Sequence, residues 1–196
     1  MKIYLINTNN VKEKLRIEDY LKYVVASEMP NDWPLEALKA QAVAARTYAC
    51  QALIAPRHSQ DRANLCASTH CQVYRPKAEP NSNIIEAVHS TKGEIVTLNN
   101  QPINAVYSAS CGGMTKNAKS VWGFPFHYLE EKKCFCNREK NGDGVGMFQN
   151  GARVLALKGC TYQQILNFYF PYTVLKTIKI KNIYSLYARL IDILKK

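Results

Sequence analysis

The sequence predicts an α+β fold with a single main domain. It should contain two central helices that meet at a corner, a small antiparallel sheet or hairpins, and a C-terminal helical appendage. Two observations support this. Apolar residues at spacings of three and four, followed by an alanine-rich stretch at residues 35–55, indicate helices, whereas short alternating runs bounded by Asn and Gly indicate strands. The 196 residues are 47% hydrophobic, which is enough for one domain with a core.

The first predicted helix, Ile17–Glu28, ends in a carboxylate on its apolar face. Tyr20 and Val24 precede Glu28 at intervals of four residues and share this face. Pro30 ends the helix because the residue before a proline is pushed out of helical geometry. A carboxylate directed at the core is either compensated by a partner or functional. Glu28 is therefore the candidate catalytic residue, and an ion pair that braces the corner is the structural alternative.

The second predicted helix, residues 35–55, supplies the candidate partner of Glu28. Pro34 suits the first turn, where its missing N–H costs nothing, and the many alanines allow close packing in the core. Arg46 lies in the middle of this helix. If Arg46 contacts Glu28, the carboxylate stays ionised. If Arg46 binds substrate instead, burial raises the pKa of Glu28, which can then act as a general acid.

Shorter elements are predicted before and after the two helices. They are a strand at Lys2–Ile6, a helix at Ser82–Ser90, a hairpin of Glu94–Leu98 and residues 103–107 across Asn99-Asn100-Gln101, helices at 151–157 and 162–170, a strand at 175–180, and a helix at 182–196. The predicted domain is 1–175, with an extension at 176–196. The helix of this extension is expected to dock on the core or on a second subunit, with a membrane surface as the alternative.

The charge balance narrows the class of partner. A net charge of +11 and a pI near 9.3 favour a polyanion: nucleic acid, an acidic polymer such as cell wall, or an anionic membrane. No RNA-binding or helix-turn-helix signature is present, so nucleic acid is disfavoured. The segment MKIYLINTNN is too short and polar for a signal peptide, and no run approaches 18 apolar residues. Membrane association is therefore not indicated.

Seven cysteines, several in close pairs, suggest metal or redox chemistry. Cys66, His70 and Cys71 could supply three zinc ligands, although adjacent His70 and Cys71 would need a tight turn to bind one ion. Alternatively, Cys134 and Cys136 complete a four-thiolate site with Cys66 and Cys71, which leaves His70 out. Disulfides Cys66–Cys71 or Cys134–Cys136, or free thiols, remain alternatives. If a metal is bound, zinc in a structural role is favoured.

The three isolated cysteines, Cys50, Cys111 and Cys160, are expected to be buried as small hydrophobic residues. A nucleophilic Cys111 is conceivable because SCGG could form a tight loop with exposed amides. No histidine partner is evident in the sequence for such a nucleophile.

Five segments, in order, resemble the stage II sporulation protein D family, which includes an amidase-enhancer branch. They are EDYLKYVVASEMP with LEALKAQAVAARTY, then STHCQVYRP, AVHSTKGEIVTLNNQPINAVYSASCGGMT, SVWG and NGDGVGMFQNGARVLALKGCTYQQILNFYFP, covering roughly residues 15–172. The resemblance implies a peptidoglycan lytic transglycosylase that cleaves between MurNAc and GlcNAc and leaves a 1,6-anhydro sugar. It matches Glu28 to the catalytic acid of SEMP and Arg46 to a functional arginine in AARTY.

The resemblance also implies substrate-binding residues, partners and a location. Tyr107, Ser108 and Ser110 would line the groove, with Asp143 and Gln149 beside them. Asp143 stands where the family usually has histidine, and Ser120 where it often has aspartate; an aspartate normally only accepts hydrogen bonds. The expected partners are peptidoglycan strands and a cell-wall amidase, the expected location is extracytoplasmic or wall-associated, and no organic cofactor is expected.

Two other functional readings stay open. One is a non-catalytic wall-binding enhancer of an N-acetylmuramoyl-L-alanine amidase, which would use the same groove and positive charge. The other is a zinc-stabilised structural protein with a degenerate site, for which Asp143 and Ser120 are the signs. Only the enzyme needs Glu28 to be partly desolvated and accessible to substrate.

Overall fold

Helices and short strands alternate along the chain, which confirms the predicted α+β class. The computed structural model describes residues 1–136 and 138–178. In these residues the helices are α1 (Ile17–Glu28), α2 (Leu35–Ile54), α3 (Ser82–Ser90), α4 (Ala118–Trp122), α5 (Gln149–Leu157) and α6 (Tyr162–Tyr169). The strands are β1 (Lys2–Ile6), β2 (Lys12–Arg16), β3 (Leu65–Cys66), β4 (Glu94–Leu98), β5 (Gln101–Pro102), β6 (Tyr107–Ser108), β7 (Met147–Phe148) and β8 (Val174–Thr177).

Helix α2 lies at the centre of the domain, between two hydrophobic clusters. One side, including Ala42 and Ala49, packs with α1, β1 and α3. The other side, including Ala40 and Ala44, packs with α5, α6 and β4. All four alanines are fully buried. Because alanine has a small side chain and the best helix propensity, it allows neighbouring elements to approach α2 closely on both sides.

The strands form three small sheets, of which one is mixed, one is antiparallel and one is parallel. Their strand orders are β2-β1-β3, β5-β4-β8 and β6-β7. The antiparallel pairs β1/β2, β4/β5 and β4/β8 agree with the predicted small antiparallel sheet, whereas β1/β3 and β6/β7 are parallel. Parallel pairs join segments distant in sequence, so local patterns could not indicate them. Strand β2 was not predicted because its side chains, KEKLR, are almost all charged.

The predicted hairpin forms, but its turn is shorter and its second strand is different. Asn99 and Asn100 have φ of 50° and 63°, as a two-residue type I′ turn requires, and Leu98 pairs with Gln101. The returning strand ends at Pro102. The predicted strand at 103–107 is therefore wrong, because Tyr107 leaves this sheet and pairs instead with β7. This pairing brings the YSAS and GDGVGMFQ segments together.

Most predicted helices are confirmed within the described residues. Helices α1 and α3 have the predicted bounds, α2, α5 and α6 differ at an end by one or two residues, and the short α4 was not predicted. The predicted helix at 182–196 lies outside the described residues, and the domain boundary at 175 stays a prediction. Over residues 1–136 and 138–178, no helix combines the length and apolarity needed to cross a membrane.

Candidate active site

The carboxylate of Glu28 is held by two neutral donors at the end of α1. Its Oε1 accepts a hydrogen bond from the Val73 N–H at 2.8 Å, and its Oε2 accepts one from Gln149 Nε2 at 3.2 Å. Gln149 is the first residue of α5 and is buried. Three segments distant in sequence therefore meet at Glu28: the end of α1, the extended segment around Val73, and the start of α5.

Burial is the main influence on the pKa of Glu28. Desolvation raises its pKa above the usual carboxyl value and outweighs the Val73 and Gln149 hydrogen bonds and the charge of Arg75, which lower it. In the described part of the chain, no lysine or arginine side chain forms an ion pair with Glu28. A carboxyl in this environment keeps its proton to higher pH than an exposed one, which is the property of a general acid.

The segment that supplies Val73 is fixed by its neighbours. The buried Gln72 donates to the Ala45 carbonyl at 3.0 Å and accepts from the Tyr20 hydroxyl at 2.8 Å. Two residues beyond Val73, the Arg75 N–H donates to Ser27 Oγ at 3.2 Å. These bonds tie the segment to both α1 and α2, so the N–H that contacts Glu28 is positioned by the core.

A cleft of about 500 Å³ lies next to this corner. Its lining comprises Tyr48, Arg57, Thr69, His70, Cys71, Asn104, Val106, Tyr107, Ser108, Trp122, Phe124, Gly142 and Asp143. Glu28 is not among these residues. Tyr107 links Glu28 to the cleft, because Tyr107 lines the cleft and also senses the charge of Glu28. Burial is the main cause of the raised pKa of Tyr107, and the charge of Glu28 raises it further. A larger cavity of about 670 Å³ lies at the start of α1, away from Glu28.

Asp143 organises one wall of the cleft. Its Oδ2 accepts from the Trp122 indole N–H at 3.1 Å, and its Oδ1 accepts from the Val145 N–H at 3.0 Å. The loop depends on glycine: Gly146 has φ of 86°, and a Cβ there would lie 2.2 Å from the Val106 carbonyl oxygen. Asp143 therefore lies on the cleft wall, but each of its carboxylate oxygens already accepts a protein hydrogen bond, and its role in substrate binding stays a prediction.

The three predicted groove residues of YSAS separate into two locations. Tyr107 and Ser108 line the cleft, and their buried hydroxyls have no hydrogen-bond partner within the described residues. Ser110 is only 2% exposed and donates to the Arg138 carbonyl at 3.1 Å. The prediction that Ser110 lines the groove is therefore corrected, because Ser110 lies beyond β6, pairs with Asn141 and turns its hydroxyl to the Arg138 carbonyl.

Arg46 is the main correction to the predicted site. Its guanidinium binds Glu18 through both oxygens, Nε–Oε1 at 3.0 Å and NH2–Oε2 at 2.8 Å. The side chain is fully buried, and it also donates to the Thr91 hydroxyl and to the Val88 and Glu94 carbonyls. Arg46 therefore joins α1, α3 and β4, and it does not contact Glu28.

A group of four potential metal ligands lies beside the cleft. His58, Cys66, His70 and Cys71 offer ligand atoms that all lie within 4.8 Å of one another. Cys71 Sγ is 3.5 Å from His58 Nε2 and 3.4 Å from His70 Nδ1. The required tight turn is present, since the Cys71 N–H donates to the Ser68 carbonyl at 3.1 Å.

His58 was missed by the sequence reasoning. It lies in the turn after α2, eight residues before Cys66, and the pairing of β3 with β1 places Cys66 near it. A histidine close to a Cys-rich segment was the available signal. Two thiols and two imidazoles form a donor set that suits tetrahedral zinc. Asp61, 3.7 Å from His58 Nδ1, could orient that imidazole.

The pKa values of the two thiols in this group are shifted in opposite directions. Burial raises the pKa of Cys66, but hydrogen bonds from Ser68, His70 and Cys71 outweigh it and lower the pKa to about 7. Burial dominates at Cys71 and raises its pKa to about 12. A cation bound between them would favour the thiolate form of both, because opposite charge stabilises an ionised ligand.

The remaining cysteines do not join this group. Cys134 and Cys136 lie with Cys111 in a separate buried cluster, so the predicted four-thiolate site with Cys66 and Cys71 is wrong. Cys50 is fully buried, as expected, whereas Cys160 is partly exposed.

Comparisons with known proteins show which family the chain resembles. A family model described as stage II sporulation protein, SpoIID, matches residues 6–98. A stage II sporulation protein D of Bacillus subtilis is 38% identical over 138 residues, covering 64% of this chain and 40% of that protein. An uncharacterised protein of Brachyspira hyodysenteriae is 43% identical over 125 residues, covering 63% of this chain and 33% of that protein. An amidase enhancer of Bacillus subtilis is 42% identical over 113 residues, covering 58% of this chain and 15% of that protein.

The matches cover only part of each relative, two fifths or less of its length. The family model includes Glu28, Arg46 and the four potential metal ligands. With the resemblance already noted in the later segments, these matches show that the chain is similar to the stage II sporulation protein D family.

Proposed function

We propose that this chain is a peptidoglycan lytic transglycosylase that cleaves the MurNAc–GlcNAc linkage and forms a 1,6-anhydro product. The observation that carries the proposal is the environment of Glu28. Its carboxyl is partly buried and has a raised pKa, its hydrogen-bond donors in the described residues are neutral, and its charge raises the pKa of Tyr107 on the cleft wall. Similarity to the sporulation protein D family supports the same reaction class.

The reaction needs only one carboxyl group, and Glu28 can play both roles. Protonated Glu28 gives its proton to the glycosidic oxygen as the bond to the MurNAc C1 breaks. The resulting carboxylate takes the proton of the MurNAc 6-hydroxyl, whose oxygen attacks C1 and closes the anhydro ring. The proton lost in the first step is recovered in the second, and no water is consumed. Two-carboxylate hydrolases, by contrast, must activate a water molecule or form a covalent intermediate.

The cleft offers groups suited to a sugar chain. Trp122 and Phe124 present aromatic surface, and Asp143 holds the indole in place. Phe124 is 55% exposed, so its ring is accessible from the cleft. The Tyr107 and Ser108 hydroxyls behind this wall are buried and have no protein partner in the described residues, so a sugar hydroxyl could reach them only if the wall shifts on binding. The net charge of +11 favours an acidic wall polymer.

We assign a zinc ion to His58, Cys66, His70 and Cys71. The four donors match a closed tetrahedral site, which leaves no position for a reacting group, so a structural role is proposed. Bound zinc would supply positive charge that stabilises the two thiolates. By binding one ion, the four ligand residues would fix the loop of residues 58–71. This loop contributes Thr69, His70 and Cys71 to the cleft wall.

A second candidate function is the non-catalytic enhancement of a cell-wall amidase. The relative named amidase enhancer favours it. The absence of Glu28 from the cleft lining also favours it, because a binding module needs the cleft without an exposed acid.

Mass spectrometry of products from purified glycan strands, with and without stem peptides, separates the two candidates. Wild type should release anhydro-sugar products and Glu28→Gln should release none. Glu86→Gln is the matched control: Glu86 is exposed on α3, and its side chain makes no hydrogen bond or ion pair in the described part of the chain. If wild type binds glycan and stimulates an amidase but releases no product, the enhancer function replaces the enzymatic one.

A further inference from the structure

Three thiols outside the cleft form a cluster to which neither the proposed reaction nor the zinc site gives a role. Cys111 Sγ lies 2.8 Å from Cys136 Sγ, and Cys134 Sγ lies 3.6 Å from Cys136 Sγ. All three side chains are buried, with at most 5% exposure. Thiols separated by 25 residues in sequence therefore meet inside the domain, where burial shields them from solvent.

The cluster lies where a long loop leaves the core and returns to it. The Cys134 N–H donates to the Gly113 carbonyl at 2.9 Å, and the Thr115 N–H donates to the Lys132 carbonyl at 2.8 Å. The two ends of the loop therefore run side by side. The loop between them, residues 112–135, carries α4 and the aromatic side chains of Trp122 and Phe124 that line the cleft.

The arrangement suits a covalent bond better than a metal ion. In the described part of the chain the cluster offers only three ligand atoms of His, Cys, Asp or Glu, whereas the group around His58 offers four. Two sulfurs that bind one tetrahedral zinc at about 2.3 Å are separated by about 3.8 Å. Cys111 Sγ and Cys136 Sγ are about 1 Å closer than this.

We propose that Cys111 and Cys136 form a disulfide that closes the loop bearing the aromatic wall of the cleft. The two thiols are oxidised by a small-molecule or protein disulfide. One thiolate attacks a sulfur of the oxidant and releases one thiol. The other thiolate then attacks the resulting mixed disulfide and releases the second. Two cysteine thiols and one external disulfide thus become one internal disulfide and two external thiols, so electrons and protons balance.

Electrostatics favour Cys136 as the thiol that attacks first. Burial raises its pKa, but hydrogen bonds from the Cys111 thiol and the Ser110 hydroxyl outweigh it and lower the pKa to about 6. Burial raises the pKa of Cys111. Cys134, whose Sγ is 3.4 Å from the Tyr169 hydroxyl, is the spare thiol and remains reduced.

Closing this loop should stabilise the domain independently of any activity. A disulfide around a loop of this length restricts the unfolded chain, so its reduction should lower Tm by about 5 to 10 °C. Cys134→Ser is the matched control, because it removes a cluster thiol but leaves the proposed bond. Cys136→Ser should lower Tm by the same amount as reduction, and reduction should not lower it further.

Peptide mapping tests the bond directly in the wild-type protein. Zinc-loaded protein is equilibrated with oxidised and reduced glutathione, alkylated in denaturant without reduction, and digested. Trypsin releases residues 93–116 with Cys111 and residues 134–138 with both other cysteines, and chymotryptic cleavage after Phe135 separates those two. We expect Cys111 joined to Cys136, Cys134 alkylated, and one zinc per chain.

Three results would overturn the proposal. They are full alkylation of all three thiols, a bond from Cys111 to Cys134, or a second metal ion per chain that is lost in Cys136→Ser. None depends on glycan cleavage, so the disulfide and the proposed function succeed or fail separately.

Discussion

Helix α1 carries two glutamates, ten residues apart, whose surroundings give them opposite properties. Glu18 forms a two-point ion pair with the buried Arg46. Glu28 meets only the Val73 N–H and the Gln149 amide, and burial raises its pKa. The residue type and the helix are the same. A partner cation makes Glu18 a structural tie, whereas Glu28 has no such partner in the described residues, and burial raises its pKa above the usual carboxyl value.

The difference between the two glutamates shows that the buried charge of Arg46 has a structural role. Arg46 also donates to the Thr91 hydroxyl and to two carbonyl oxygens, so its buried charge is well compensated. A buried cation satisfied in this way is costly to disturb but has no free donor to offer a substrate. The position of Arg46 in the AARTY motif suggested a reacting residue, and its contacts indicate a structural one.

The largest expected effect is the loss of turnover on removing the acid at Glu28. Glu28→Gln should lower the rate of anhydro-product release by about 10²- to 10⁴-fold, because amide cannot transfer the proton. Glu18→Gln should retain most of the turnover at a temperature where it is folded. Initial rates on glycan strands measure both. Equal losses in the two variants would remove the distinction between these glutamates.

The next effect is on stability at the ion pair. Arg46→Met should lower the free energy of unfolding by about 3 to 5 kcal/mol, because it strands the charge of Glu18 against an apolar side chain. Urea unfolding measures the change. The double variant with Glu18→Gln should recover part of it, since neither charge is then left alone. A stable Arg46→Met protein without turnover would show that Arg46 acts on substrate after all.

The metal group on the cleft wall should respond separately from both glutamates. His58→Ala removes one of four ligands and should weaken zinc binding by at least about 10- to 100-fold, judging by the smaller losses that follow removal of ligand-supporting residues. Competition with a chelator measures the affinity. His89→Ala, an exposed histidine on α3, is the control. Unchanged affinity in His58→Ala would exclude this residue from the site.

Stability should also change in opposite directions at the two glutamates. The folded-state pKa of Glu28 is raised, so its contribution to stability is full below the usual carboxyl pKa and is lost as pH rises through the raised value. Glu28→Gln should therefore be more stable than wild type at neutral pH, and the gain should vanish in acid. Glu18→Gln should be less stable at neutral pH. Thermal unfolding across the pH range measures both trends.

The smallest effect is expected at Gln149. Its hydrogen bond lowers the pKa of Glu28, so Gln149→Met should raise that pKa further. Turnover requires protonated Glu28 and falls as pH rises, so the falling limb of the pH–rate profile should move to higher pH. Gln163→Met, at an exposed position of α6, should leave the profile unchanged. A shift to lower pH would contradict the assigned role of Glu28.

Local sequence determined the helices and the position of the acid. Pro30 ends α1 directly after Glu28, and the alanines of α2 indicated a central helix. These predictions succeed because helix spacing and proline geometry involve only neighbouring residues. The sequence also indicated that His70 and Cys71 could bind one ion only with a tight turn between them, but it did not predict that turn.

Contacts between distant segments of the chain, by contrast, could be identified only from the folded structure. Glu18 rather than Glu28 reaches Arg46, His58 joins Cys66 because β3 pairs with β1, and Cys111 joins Cys136 at the base of a loop. Each of these contacts joins segments that are separated in sequence and brought together by strand pairing and core packing. Spacing along a helix or strand fixes the direction of a side chain, but packing between elements fixes its partner, and the partner determines whether a charge or thiol is structural or reactive.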